Sequence, residues 1–70
     1  MGIKMIKVCW FDKEGEIKDM IIDTRISMNI HAKLTQFYEE SQDGDMLIMQ
    51  EEGQKEVIWK NDGGYVFIDI

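Results

Sequence analysis

The sequence predicts an α+β fold, ββαβββ, with one helix packed on a curled antiparallel sheet of about five strands. Three observations carry it. Strand-like runs are separated by the glycine-bearing turns DKEG, QEEG and NDGG. One stretch alone, near 28–41, spaces its apolar residues with the period of a helix. The composition, 44% hydrophobic with eleven isoleucines among 70 residues, is enough for a packed core but not for more than one small domain spanning 1–70.

Residues 3–11, IKMIKVCWF, are rich in β-branched and aromatic types, and 16–22, EIKDMII, continue in kind. Gly15 between them supplies a residue that tolerates positive φ, so the pair reads as a hairpin with a bulged turn. In the helix, Ile30, Leu34, Phe37 and Tyr38 fall at i, i+4, i+7 and i+8, one stripe of period 3.6. Ser27 or Asn29 can cap its start, and Asp43-Gly44 is expected to end it through a left-handed glycine. DMLIMQ at 45–50 and KEVIWK at 55–60 are then strands joined by a turn at Gly53. NDGG at 61–64 leads into the last strand, YVFIDI, at 65–70, so the chain closes on a three-stranded meander.

The charge is uneven. Residues 1–35 carry five acids against six bases, whereas residues 36–70 carry nine acids against two lysines, and the whole chain has a net charge of −6. A surface this poor in Lys and Arg disfavours direct nucleic-acid binding and attraction to anionic lipid. No run approaches the length of a membrane span, and the first residues lack the pattern of a secretory signal, so the expected location is cytoplasmic. Cys9 has no partner for an internal disulfide and reads as a buried small apolar residue.

Short connections make successive elements run alternately up and down. The turn at 12–15, the helix-to-strand connection and the NDGG turn then share one end of the molecule. That end gathers Asp12, Glu14, Glu16, Glu39, Glu40, Asp43, Asp45 and Asp62, opposed by Lys13 and Lys60. Glu51 and Glu52, a strand length away, form a separate lesser patch. Glu39 and Glu40 stand in the last helical turn, where the helix dipole disfavours acids. Stability alone would place lysines there, while solubility needs no such concentration. The expected partner-binding residues are therefore Glu14, Glu16, Glu39, Glu40, Asp43, Asp45 and Asp62, docking on a basic surface of another protein.

A second feature is apolar. Ile6, Val8 and Trp10 share one strand face while Met5, Cys9 and Phe11 share the other, and Val57 with Trp59 against Ile58, and Val66, Ile68 and Ile70 against Tyr65 and Phe67, repeat the pattern. One helix covers one sheet face, so the second is expected to be filled by curling into a small barrel or by another chain, which makes a homodimer the alternative to docking.

Catalytic chemistry finds little support. His31 is the only imidazole, with Thr35 as its nearest hydroxyl at i+4, and one Cys with one His does not make a zinc site. Neither DKEGE nor DGD fits the twelve-residue calcium loop. Trp10 and Trp59 lack the basic neighbours of a single-strand stacking platform and read as core. The expectation is a non-enzymatic interaction protein with no cofactor and no metal. If its basic target normally holds nucleic acid, the module would inhibit by placing carboxylates where phosphates sit. Small acidic inhibitors that phages direct at defence nucleases follow the same logic, an analogy of size and composition with no shared motif.

Overall fold

A computed structural model describes residues 5–23 and 27–69, with the side chains of Asp23 and residues 27–30 left aside. The elements are β1 (Ile6–Phe11), β2 (Ile17–Asp23), α1 (Ser27–Glu40), β3 (Met46–Glu51), β4 (Val57–Asp62) and β5 (Tyr65–Asp69). They form the α+β architecture read from the sequence, one helix and a five-stranded sheet of order β2-β1-β3-β4-β5 with every neighbouring pair antiparallel. The capping roles of Ser27 and Asn29, Ile30 in the helical stripe, the strand start at 3–4 and Ile70 lie outside the described residues.

The turns follow from backbone chemistry. Gly15 has φ 83 and its N–H donates to Asp12 O at 2.9 Å, closing the β1–β2 turn next to a bulge at Trp10 and Phe11. Gly63 and Gly64, at φ 66 and 95, supply the two successive positive angles that a tight two-residue hairpin of the primed type demands. Gly44, at φ 91, does not cap the helix as expected. The helix stops at Glu40, and Gly44 belongs to a separate turn in which Asp45 N–H donates to Gln42 O at 3.0 Å.

The core lies between sheet and helix. Trp10, Leu47 and Trp59 are cross-strand neighbours in one row on the helix side, with Val8 and Met49 in the next. Phe37, fully buried, stands edge-on to Trp10 with ring centroids 5.1 Å apart. Leu34 packs beside them, but Tyr38 is exposed: one position round from Phe37, it has already left the narrow arc that faces the sheet.

The opposite face holds the row Met20, Cys9, Ile48 and Ile58, with Cys9 buried among its neighbours. The expected closure into a self-filling barrel does not occur. The sheet is open, with β2 and β5 as its edges, and Ile17, Met20, Ile22 and Phe67 remain exposed. β2 and β5 lie at opposite edges of the order β2-β1-β3-β4-β5 and do not pair with each other, so the sheet does not close. Among the described residues, no helix is long and apolar enough to cross a membrane.

Candidate partner-docking site

The three connections predicted to share one end do meet there. Gly44 N–H donates to Asn61 O at 2.9 Å and Asn61 N–H returns to Asp45 O at 3.0 Å, joining the α1–β3 connection to β4. Asn61 also donates through Nδ2 to Ser41, at 3.1 Å to the carbonyl and 2.7 Å to the hydroxyl, and accepts from Gly64 N–H at 2.9 Å. The β1–β2 turn is pressed against the same place, since a Cβ built on Gly44 would lie 2.6 Å from Lys13 Cβ. Asn61 is nearly fully buried, as suits a side chain that ties three backbone segments together.

Asp45 is the second tie and departs from its expected role. It is 3% exposed, and its Oδ2 accepts from Trp10 Nε1 at 3.0 Å, from Gln42 N–H at 3.0 Å and from Lys18 Nζ at 3.5 Å. Burial pushes its carboxyl pKa up, but the Gln42 N–H, the Trp10 indole and the Lys18 ammonium together outweigh that and hold it below the usual 3.8. This carboxylate is ionised and committed inward, so it builds the pole rather than meeting a partner. Lys18 closes the arrangement by lying 5.2 Å from the Trp10 ring centre.

The other expected docking residues, Glu14, Glu16, Glu39, Glu40, Asp43 and Asp62, are all exposed. Asp43 has a structural share, accepting from Gly63 N–H at 2.7 Å and so fixing the α1–β3 connection to the β4–β5 turn. Asp12 likewise orders its own turn, receiving the N–H groups of Glu14 and Glu16 at 2.9 Å each. Glu40 meets, among the described residues, only Gln36 Nε2, at 3.5 Å. Among the described residues two ion pairs border this end, Lys18 with Asp45 at 3.5 Å and Lys60 with Asp69 at 3.0 Å, and neither engages one of these six acids. The last turn of α1 carries no base to offset Glu39 and Glu40.

A shallow open groove of ≈ 400 Å³ runs between the α1–β3 connection and the β4–β5 hairpin, with Asp43, Asp62 and Asp69 on its walls and Lys60 between them. Lys60 offsets Asp69 there, so Asp43 and Asp62 are the wall carboxylates at the turn tips without an ion-pair partner among the described residues. Glu51 and Glu52 lie at the far end, where Glu52 N–H donates to Met5 O at 2.9 Å, as expected of a separate patch. His31 and Thr35 are exposed on α1, and no group of three or more His, Cys, Asp or Glu suited to a metal occurs among the described residues.

Two members of the site were not anticipated. Lys18 reads as an ordinary strand residue and Asn61 as part of the NDGG turn, yet one neutralises Asp45 and the other, at the end of β4, knots the loops. The sequence signal was Trp10 at a strand end, since a buried indole N–H needs an acceptor. No protein-family model, curated protein or solved structure matches this chain.

Proposed function

We propose that this protein is a non-enzymatic interaction protein that docks its acidic pole on a basic surface of a partner protein and inhibits a partner that handles nucleic acid. The observation that carries the reading is the set Glu14, Glu16, Glu39, Glu40, Asp43 and Asp62: six exposed carboxylates with no ion-pair partner among the described residues. They sit on one end of the fold, where hydrogen bonds join the α1–β3 connection to β4 and to the β4–β5 turn, and Lys13 packs the β1–β2 turn against Gly44.

Two physical arguments support it. The backbone that carries these acids is already tied together, so binding to a basic surface need order little beyond the side chains. Glu39 and Glu40 also occupy positions where the helix dipole disfavours them, which sets them against the stability of the fold.

The test is competition. Immobilised protein is exposed to an extract of its native host at low salt, and captured proteins are challenged with single- and double-stranded oligonucleotides and with rising salt. The proposal expects a basic protein that is displaced by nucleic acid and released steeply as salt rises. Capture indifferent to both would show that the pole is not the contact.

A further inference from the structure

We propose that two copies of this chain join edge to edge through β5, antiparallel about a two-fold axis at Phe67, to make one continuous sheet with an acidic pole at each far end. This goes beyond the docking reading and does not depend on it. It also differs from self-association through the second sheet face, because Lys7 and Gln50 interrupt that face at one end, Lys60 at the other and Asp69 at the β5 edge of the middle row.

The two sheet edges are unlike. β2 carries Lys18, Asp19 and Asp23 and is irregular at the bulge, and Asp19 is engaged by Lys33 of α1. Charges and bulges of this kind protect an edge from pairing. β5, YVFID, has no lysine, proline or bulge, and its one charge, Asp69, is neutralised by Lys60. Tyr65, Phe67 and Ile68 are 80%, 45% and 46% exposed, an apolar edge left open on both sides of the strand.

The register fixes which backbone groups are free. Asp62 and Tyr65 flank the two-residue turn and face each other, so Tyr65, Phe67 and Asp69 direct their N–H and C=O groups towards β4. Val66 and Ile68 direct theirs outward. An antiparallel second copy centred on Phe67 sets Val66 opposite Ile68 of the other chain twice over, exchanging about four backbone hydrogen bonds. It sets Phe67 opposite its own copy at the close, non-hydrogen-bonded spacing favourable to aromatic pairs, and Tyr65 opposite Asp69. All five residues of β5 are used. Because the acidic pole lies at the Tyr65 end, an antiparallel match sends the two poles apart, whereas a parallel one would bring them together. So short a contact is at the low end of specific interfaces, and the dimer forms only in concentrated solution.

Cysteine pairing tests this directly. In a Cys9→Ala background, Phe67→Cys is compared with Val66→Cys under oxidised glutathione, alongside sedimentation and amide exchange of the unaltered chain. The expected results are disulfide dimers from Phe67→Cys at least tenfold faster than from Val66→Cys, a mass rising from 8.2 kDa towards twice that with concentration, and slowing of exchange at Val66 and Ile68 in step. Ile68→Pro, which removes an outward N–H and leaves the β4 ladder intact, abolishes the rise in mass. Equal cross-linking by the two cysteine variants, a mass that stays at 8.2 kDa in millimolar solution, or protection of Val66 and Ile68 only on adding a different protein would each overturn the proposal.

Discussion

Replacing Glu39 and Glu40 together by lysine should make this protein more stable. α1 ends at Glu40, its last turn holds no base, and after the final backbone bond, Ser41 N–H to Phe37 O at 3.1 Å, the last carbonyls of the helix have no helical donor. Each reversal removes an unfavourable charge–dipole contact and adds a favourable one, each worth ~0.3 kcal/mol at an exposed site. The Gln36–Glu40 contact, at 3.5 Å, is too long to offset much. The expected total is about 1 kcal/mol, a rise in Tm of roughly 4 to 8 °C for a domain of this size. Thermal melts followed by circular dichroism, run at ionic strengths of about 0.01 M and 1 M, check both size and origin, because screening should remove most of the gain. A loss of stability, or a gain that persists unchanged at high salt, would refute the reasoning. A variant that melts higher yet no longer captures a basic partner would show the acids set against stability and needed for binding.

Asp45 gives two further expectations. Asp45→Ala leaves the Trp10 indole N–H and Gln42 N–H without their acceptor and Lys18 without its counter-charge, at a cost of about 2 to 4 kcal/mol in urea denaturation; Asp45→Asn, which can still accept from Trp10, costs less. Since the folded pKa is depressed, the stabilisation is complete above the ordinary value of 3.8 and is lost as pH falls through the folded value, so the native chain should lose more stability than Asp45→Asn in acid. Gly44→Ala meets both a positive φ and Lys13 Cβ at 2.6 Å, whereas Gly15→Ala meets open space; the first should destabilise by roughly 2 to 3 kcal/mol and the second by about 1, and equal losses would contradict the packing described.

The parts of the fold legible in the sequence are those with local causes. Gly15, Gly53 and the Gly63-Gly64 pair announce turns because few other residues take a positive φ, and all four do so. Alternation placed Val8 and Trp10 against Cys9 and Phe11 correctly, because a strand has period two whatever it packs on. What was not legible depended on distant partners. Asp45 resembles any turn acid until Trp10, 35 positions earlier, arrives beside it. Tyr38 belongs to the apolar stripe by spacing, but the width of the buried arc is set by how the helix lies on the sheet. Whether a sheet closes depends on strand number and tilt, which a list of strands does not contain. The acidic end falls between these cases: the alternation of element directions predicted its gathering, and the loop-to-loop bonds through Asn61 and Asp43 form there.

The most direct measurement compares two charge-matched variants in the capture experiment. Glu14→Lys/Glu39→Lys/Glu40→Lys reverses the pole while sparing Asp43 and Asp45, which hold the loops, and Glu51→Lys/Glu52→Lys/Glu56→Lys reverses the same number of charges at the far end. If the pole is the docking surface, the first variant loses at least a hundredfold in affinity for the captured basic partner, while the second stays within about threefold of the unaltered chain. Equal losses in both variants would mean that only net charge matters, and undiminished binding by the first would leave the pole without a role.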